Sequence, residues 1–237
     1  MTNTQAALVD IAEPLSSWSH LGGAVAFLYL GLRHLPEHRC TPVRFACVLA
    51  FGVATVAQLA LSGAYHLVDA PSRAKPVLQL LDHAAIFVLI AGTLTAVHGL
   101  LFTGAWRRRM IQVAWITCAL GIALKMVFFD QTAEWLGLAS YFAMGTLGLF
   151  TTVKLWCRYG ARFAWPMLAG GLIYTVGALA DYLRAPVLVP DVFGPHEVLH
   201  FAVLAALAIH WRFVLGVLER APEPAPSAEL ADAASQA

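Results

Sequence analysis

Seven long hydrophobic segments, separated by short polar or charged stretches, account for most of the chain. They cover approximately residues 18–35, 45–65, 77–102, 111–129, 135–155, 163–182 and 196–218. An α-helix needs roughly 20 apolar residues to cross the hydrocarbon core of a bilayer, and the segments are close to that length. Helices also satisfy their own backbone hydrogen bonds, which lipid cannot do for irregular chain. The pattern therefore predicts an all-α, polytopic membrane protein, a bundle of seven transmembrane helices.

Polar regions flank the hydrophobic segments at both ends of the chain. Residues 1–16 form a short polar lead with Asp10 and Glu13 but without Lys or Arg. The lead lacks the positively charged start of a secretory signal peptide, so the first hydrophobic segment is expected to remain as a membrane helix. Residues 17–218 form the predicted seven-helix domain. The tail, residues 219–237, is rich in Ala and Pro and is predicted to be disordered.

Composition supports the membrane class and narrows the partners. The chain is 59% hydrophobic and 12% charged, with a formal net charge of +1. A net charge so close to zero gives no electrostatic basis for binding nucleic acid, so membrane lipids are the expected partners. The four cysteines include no CxxC pair, which argues against a disulfide framework and against a thiolate zinc site.

Small and aromatic residues inside the segments predict how the helices pack and sit in lipid. Gly145, Gly148 and Gly177 are expected to let neighbouring helices approach closely, as small residues do in membranes. Tryptophans near the segment ends, among them Trp106 and Trp211, are expected to anchor the bundle at the membrane surface.

The ionisable residues divide between the two ends of the predicted bundle. Because odd and even helices run in opposite directions, one end collects acids and histidines and the other collects most of the basic residues. The basic end holds eleven of the fifteen Lys and Arg residues: Arg33, Arg39, Arg44, Arg107, Arg108, Arg109, Lys154, Arg158, Arg162, Arg212 and Arg220. The positive-inside rule predicts that the basic end is cytoplasmic and that the N-terminus and the polar end lie outside.

At the polar end, two pairs of side chains are spaced four residues apart, which puts each pair on one helix face. Ser62 and His66 close the second segment, and His196 and His200 open the seventh. Asp82 lies about one turn inside the third. Three imidazoles and a carboxylate from a further helix match a catalytic zinc site, which keeps a fourth position for water. Other transition metals accept the same ligands, and a metal-free hydrogen-bonded cluster is the alternative.

Several neighbouring residues allow two interpretations. Asp82 either holds the water or pairs with an arginine, and Ser62 either acts at the site or bonds to a helix carbonyl. His20 either orients a ligand or is a solvated interfacial histidine. Asp181 is interpreted as an interfacial carboxylate. Three other histidines are excluded from the site, one because it points away from Asp82 and two because they lie at the far ends of helices: His83, His98 and His210.

Four motifs carry a resemblance to a known family. They are Ser62-x-x-Tyr65-His66, Asp82-His83-Ala84-Ala85-Ile86, Tyr141-x-Ala143-Met144-Gly145 and His196-x-x-x-His200. In order and spacing they resemble the hemolysin III family of bacterial membrane proteins, relatives of the progestin and adiponectin receptor (PAQR) family and, more distantly, of the alkaline ceramidases. The resemblance covers about residues 13 to 215. It implies a seven-helix bundle in the bacterial inner membrane, zinc held by His66, His196 and His200, Asp82 near a zinc-bound water, and Ser62 close by.

The chain also departs from that family pattern. Ser16 stands where the family usually has Asn, Ala96 where Pro is common, and Asp181 where an aromatic residue is usual. None of these is an expected zinc ligand, although Asp181 is expected to change the charge of the cavity. The resemblance to the receptors implies a cytoplasmic N-terminus, opposite to the prediction from the basic residues. For this chain we follow the basic residues.

Two functions fit these residues. In the first, the protein is an intramembrane zinc hydrolase of ceramide-like or other acyl lipids, in which Asp82 takes a proton from the attacking water and Ser62 stabilises the oxyanion. In the second, zinc only joins helices, and the protein is a receptor-like sensor or a membrane-perturbing factor. A structural site is closed by a fourth protein ligand, which would be Asp82 or His20.

Overall fold

The computed structural model describes residues 13–35, 41–69, 72–128, 134–190 and 192–220. These residues form seven α-helices: α1 (Pro14–His34), α2 (Pro42–Leu67), α3 (Lys75–Leu101), α4 (Gly104–Val127), α5 (Glu134–Tyr159), α6 (Ala161–Tyr182) and α7 (Pro195–Arg220). Extended pairing within the described residues amounts to one isolated bridge between Val189 and Phe193. The all-α class is therefore confirmed.

Six of these helices, α2 to α7, are long and apolar enough to cross a membrane. The helix α1 is not among them, because the polar side chains of Ser16, Ser17, Ser19 and His20 lower the hydropathy of its first half. The expectation of membrane-spanning helices is thus supported for six segments, and the count of seven is not confirmed.

The two terminal predictions fall mostly outside the described residues. The predicted polar lead overlaps the description only from Glu13 onward, and α1 already begins at Pro14. Of the predicted disordered tail, only Glu219 and Arg220 are described, and both belong to the last turn of α7.

Proline and glycine mark several helix boundaries. Pro14 and Pro42 each stand in the first turn of a helix, where the missing N–H leaves no hydrogen bond unmade. Gly160 joins α5 to α6 with φ of 87°, a left-handed conformation that favours glycine over residues with a Cβ atom. A single residue is therefore enough to reverse the chain between these two helices.

Helices that follow each other in sequence pack side by side, and α1 also packs against α7, so the first and last helices are neighbours in the bundle. The helices α2, α3 and α7, which we call the core helices, are the most deeply buried. The helices α4, α5 and α6, which we call the peripheral helices, have far fewer buried residues. The helix α3 contacts both α5 and α7 and lies in the middle of the bundle.

An aromatic cluster fills the interior of the bundle near α7. The Trp211 ring lies 5.5 Å from that of Phe27 and 5.3 Å from that of Phe51, and only 4% of its surface is exposed. The expected role of Trp211 as an interfacial anchor is therefore wrong. The helix α7 continues to Arg220, so Trp211 lies more than two turns before its end.

The glycines divide into two kinds. A Cβ atom at Gly177 would lie 2.5 Å from that of Ala202, so α6 and α7 approach closely here, as expected. In contrast, nothing lies within 4 Å of such an atom at Gly145 or Gly148 on α5. The expected close approach at these two residues is wrong, because they face open space.

Candidate metal centre

Three histidines predicted as metal ligands come together between the end of α2 and the start of α7. The Nε2 atom of His196 lies 3.3 Å from that of His66 and 3.0 Å from that of His200. One ligand atom from each of the three rings lies within 4.8 Å of the others. The spacing of four residues between His196 and His200 places both rings on one face of α7, opposite His66.

Two carboxylates hold the outer nitrogens of this cluster. His66 Nδ1–H donates a hydrogen bond to Glu13 Oε2 at 2.7 Å, and His196 Nδ1–H donates to Asp181 Oδ1 at 3.1 Å. A neutral imidazole whose Nδ1–H donates a hydrogen bond to a carboxylate keeps a lone pair on Nε2. The carboxylates therefore turn the ligand-forming nitrogens of His66 and His196 toward each other.

The described residues fit a tetrahedral transition-metal ion. Two nitrogens that each lie about 2.0–2.1 Å from one tetrahedral ion stand about 3.3–3.4 Å apart, close to the spacing of these Nε2 atoms. Lone pairs directed at each other repel, and a shared cation removes that repulsion. Histidine ligands whose second nitrogen donates to a carboxylate are also typical of zinc sites. Without a metal, the cluster requires a proton on at least one Nε2.

Glu13 connects the start of α1 to the end of α2. Its backbone N–H donates to the carbonyl oxygen of His66 at 3.2 Å, in addition to the side-chain hydrogen bond. The pKa of the Glu13 carboxyl lies below its ordinary value, chiefly because of the hydrogen bond from His66. Glu13 therefore remains a carboxylate in neutral and mildly acidic solution, as its contact with His66 requires.

Asp82, Ser62 and His20 form a second polar layer beneath the histidines. All three side chains are buried, and the Asp82 carboxyl lies beside the Ser62 hydroxyl. Ser62 Oγ and His20 Nδ1 are hydrogen-bonded at 2.8 Å, and His20 Nε2 lies 3.3 Å from the carbonyl oxygen of His200. His20 is therefore not a solvated interfacial histidine, since it links Ser62 to α7, the helix that carries His196 and His200.

The start of α7 is fixed by Glu197. Its Oε2 atom accepts from the Gly194 backbone N–H at 2.8 Å, which caps the first turn, and its Oε1 atom accepts from the Ser16 hydroxyl at 3.1 Å. The Glu197 side chain therefore both caps the N-terminus of α7 and connects α7 to α1. Ser16, one of the departures from the family pattern, therefore helps to hold the first turn of α7, which contains His196, through its bond to Glu197.

Comparison with known proteins shows the family of the chain. The family model described as "Haemolysin-III related" matches residues 10–211. The chain belongs to the hemolysin III family. It is similar to the "Hemolysin-3 homolog" of Bacillus subtilis (strain 168), 32% identical over 108 residues, or 45% of this chain and 50% of that protein. It is also similar to "Hemolysin-3" of Bacillus cereus, 29% identical over 137 residues, or 56% of this chain and 62% of that protein. The alignments thus span about half to three fifths of these relatives.

Within this hemolysin III family member, the three-histidine cluster opens onto a large cavity. The cavity has a volume of about 1190 Å³ and extends from the histidines between the core helices and the peripheral helices α5 and α6. Much of its wall is apolar and includes Ile90, Leu94, Leu149, Leu172 and Val203. Gly145, Gly148 and Gly171 also line it, which accounts for the open space next to these glycines.

The excluded histidines have different positions. His98 is fully buried near the basic end of α3 and bonds to Thr151 Oγ1 at 3.0 Å, away from the metal centre. His83 and His210 are also outside the three-histidine cluster, yet both line the cavity. Their exclusion as ligands agrees with the three-histidine cluster. The sequence did not predict that His210, near the far end of the seventh segment, lines the cavity next to that cluster.

Sequence reasoning missed the functions of two acids. The sequence predicts Asp181 as an interfacial carboxylate, but it bonds to His196, and it places Glu13 in the polar lead without predicting its bond to His66. A signal was present for Asp181, because the end of the sixth segment and the start of the seventh lie at the same end of the bundle. For Glu13 the signal in the sequence is weaker, because its contact with His66 depends on how α1 packs against α2.

Proposed function

We propose that this hemolysin III family member is an intramembrane zinc hydrolase that cleaves an amide or ester bond in an acyl lipid, ceramide-like or of another class. One observation carries the proposal: a three-histidine cluster beside a buried carboxyl opens directly onto a large, mostly apolar cavity. A centre that only joined helices would need no adjoining space of this size.

Each residue of the centre has a defined part in this proposal. His66, His196 and His200 hold the ion, and Glu13 and Asp181 accept hydrogen bonds from the Nδ1–H groups of His66 and His196, which turns their Nε2 lone pairs toward the ion. When bound, zinc supplies a Lewis acid that activates water and polarises a carbonyl group. Asp82 accepts the proton that the attacking water loses and returns it to the leaving amine or alcohol when the C–N or C–O bond breaks. Ser62 turns its hydroxyl from His20 toward the substrate oxygen that gains negative charge.

The substrate class follows from the cavity. Its apolar side chains can bury an acyl chain, and burial of each CH₂ group contributes about 0.8 kcal/mol. The metal centre lies at the end of this space, so a chain inside it would present its carbonyl group to the histidines. Membrane lipids are therefore the proposed partners, with the scissile bond at the junction of chain and headgroup.

We also infer that α1 crosses the membrane, so that all seven helices span a bacterial inner membrane with the metal centre toward the outside. The charge distribution supports this orientation, because the described basic residues that gather at the other end are Arg33, Arg44, Arg107, Arg108, Arg109, Lys154, Arg158, Arg162, Arg212 and Arg220. The zinc-site end carries Glu13, Asp82, Asp181 and Glu197.

Cys157 provides a test of orientation because it is exposed at the basic end, whereas Cys47 and Cys118 are buried. In a Cys40→Ser variant, a membrane-impermeant maleimide should leave Cys157 unlabelled in intact spheroplasts and should label it in inverted vesicles. The reverse pattern would put the N-terminus and the metal centre in the cytoplasm.

The test of hydrolysis uses purified protein loaded with zinc in detergent or nanodiscs. Incubation with ceramides, phospholipids and N-acyl amino acids should release a free fatty acid from at least one class, measured by mass spectrometry. Removal of the metal with a chelator should stop the release, and added zinc should restore it. Absence of release from the whole panel by zinc-loaded protein would contradict the hydrolase function.

The names of the two relatives favour one second candidate, a membrane-perturbing protein in which zinc is structural. Leakage of dye from liposomes containing the protein would support it, particularly if leakage persisted when zinc was bound and no lipid was hydrolysed. In that case Asp82 or His20 would act as the fourth ligand.

A further inference from the structure

The loop between α6 and α7 exposes several apolar side chains at the end of the bundle that carries the three-histidine cluster. We call residues 183–194 the α6–α7 loop. Its side chains that are about half or more exposed are Leu183 (66%), Val187 (58%), Leu188 (60%), Val189 (49%) and Val192 (62%). Between Arg184 and Glu197 the sequence has one residue of the types Asp, Glu, Lys and Arg, which is Asp191. An exposed apolar patch of this kind marks a surface that contacts a membrane or another molecule.

The α6–α7 loop satisfies much of its own backbone. The Phe193 carbonyl oxygen accepts from the N–H groups of Leu188 at 2.9 Å and Val189 at 3.1 Å, and Phe193 N–H donates to the Val189 carbonyl oxygen at 2.8 Å. The loop residues whose N–H groups have acceptors in the chain are Leu183, Arg184, Ala185, Leu188, Val189, Val192, Phe193 and Gly194. Pro186 and Pro190 have no N–H. Because unpaired backbone groups are what excludes irregular chain from lipid, this pairing suits a loop that enters the membrane surface.

The α6–α7 loop also adjoins the outer face of α7. The Phe193 and Phe201 rings are stacked, with centroids 5.4 Å apart and an angle of 28° between their planes. Phe201 does not line the cavity, and it begins a stripe of exposed residues at helical spacing on α7, made up of Phe201, Ala205, Ala208 and Arg212. Since α7 is long and apolar enough to cross the membrane, this stripe faces lipid. The apolar surface of the loop is therefore continuous with the lipid-facing surface of the bundle.

We propose that the α6–α7 loop inserts its apolar side chains into the membrane leaflet on the side of the three-histidine cluster, where acyl chains next to the headgroups are its partner. A second copy of the chain or a soluble protein could bury the same side chains, but the stack on Phe201 favours lipid. The loop joins Asp181 to His196, whose side chains are hydrogen-bonded at 3.1 Å. Its insertion would thus hold the histidine cluster level with the membrane surface.

The experiment places a fluorescent label on the loop and determines what surrounds it. Leu188→Cys and Val192→Cys are made singly in a protein whose Cys40 and Cys157 are replaced by serine, so that the two remaining cysteines are buried ones. The labelled proteins are reconstituted into phosphatidylcholine vesicles, with brominated acyl chains as the quencher in lipid and iodide as the quencher in water. Apolar groups at the interface lie about 5–10 Å into the boundary, so bromines near the headgroup should quench both labels more than bromines at the chain end. Iodide should quench both weakly.

Two control labels represent lipid and water. Val53 is 60% exposed in the middle of α2, so a label on Val53→Cys should be quenched most by bromines at the chain end. Arg73 is exposed in the turn between α2 and α3, at the same end as the loop, so a label on Arg73→Cys should be quenched mainly by iodide. Loop labels that behave like the Arg73→Cys label would overturn the proposal. Loop labels shielded from both quenchers would also overturn it, because another protein or a second copy would then cover the loop.

A charged variant tests whether the apolar side chains hold the loop in lipid. With the label on Val187→Cys, Leu188→Asp and Val192→Asp together should change the dominant quencher from brominated lipid to iodide, because charged side chains are costly in a membrane. Arg73→Asp is the matched control and should leave the label in lipid. Unchanged quenching in the doubly charged protein would overturn the proposal. Neither measurement requires a substrate, so failure of the hydrolase function would not affect the result.

Discussion

The metal centre and the cavity beneath it are built by helices that differ in packing. The core helices α2, α3 and α7 carry the three histidines and Asp82, and they are the most deeply buried helices of the bundle. The peripheral helices α5 and α6 supply much of the cavity wall, and Gly145, Gly148 and Gly171 on them face open space. Gly92 on α3, in contrast, packs so tightly that a Cβ atom would lie 2.8 Å from that of Ala54.

This difference suggests how the two parts of the site can vary independently. A metal centre needs ligand positions that are held within a fraction of an ångström, which dense packing between core helices provides. A lipid cavity needs volume, which the small residues on the peripheral helices provide. Substitutions in the core helices should therefore change metal binding or chemistry, whereas substitutions in α5 should change ligand binding alone.

The largest effect is expected from loss of a ligand. His196→Ala should reduce bound zinc from near one equivalent per chain to near none, because two imidazoles and a water hold zinc far more weakly than three imidazoles do. Metal content of the detergent-purified protein is the measurement. The matched control is His34→Ala, which should retain zinc because His34 is the last residue of α1, at the end of the bundle away from the histidine cluster. No metal in the wild type, even after zinc is supplied, would exclude the zinc centre.

The next effect is expected from Asp82→Asn. The amide keeps the size of the side chain but cannot accept a proton from water, so lipid hydrolysis should fall by a factor of about 10²–10⁴. Zinc should remain bound, because three histidines are sufficient ligands. Loss of zinc together with a lower melting temperature would show instead that Asp82 is the fourth ligand of a structural site.

A smaller effect is expected from the carboxylates that orient the ligands. Asp181→Asn and Glu13→Gln retain an acceptor for the imidazole N–H but remove its charge, so each should weaken zinc affinity by about 10- to 100-fold. Competition with a chelator of known affinity measures the change. Asp69→Asn, at an exposed residue after α2, is the control. Unchanged affinity in Asp181→Asn would mean that its bond to His196 does not support the metal.

The sequence predicted the cluster of three histidines better than its surroundings, and the reason is physical. The pairs Ser62 with His66 and His196 with His200 follow from helix periodicity within single helices. The contact between Glu13 and His66 depends on how α1 lies against α2, which periodicity does not determine. Burial of Trp211 likewise depends on where α7 ends in relation to its neighbours. The first predicted span does form a helix, α1, but the polar residues in its first half make it less apolar than the other six helices.

The sequence also did not predict the open space next to α5, because a glycine in a membrane helix usually indicates close packing. The same residue type serves both purposes here: Gly177 brings α6 against α7, and Gly148 leaves room in the cavity. Only the arrangement of the helices distinguishes them, and this distinction leads to the last prediction.

Gly148→Leu should insert a side chain into the cavity without touching the metal centre. The leucine would displace a few CH₂ groups of a bound acyl chain, each worth about 0.8 kcal/mol of burial, so KM for long-chain substrates should rise by about tenfold or more. Zinc content should remain at the wild-type level. Gly216→Leu is the control, because this glycine also has open space beside it but does not line the cavity. A short-chain substrate should be affected least by Gly148→Leu. Equal losses for short and long chains, or loss of zinc, would mean that α5 supports the metal centre and that the two sides of the bundle do not act independently.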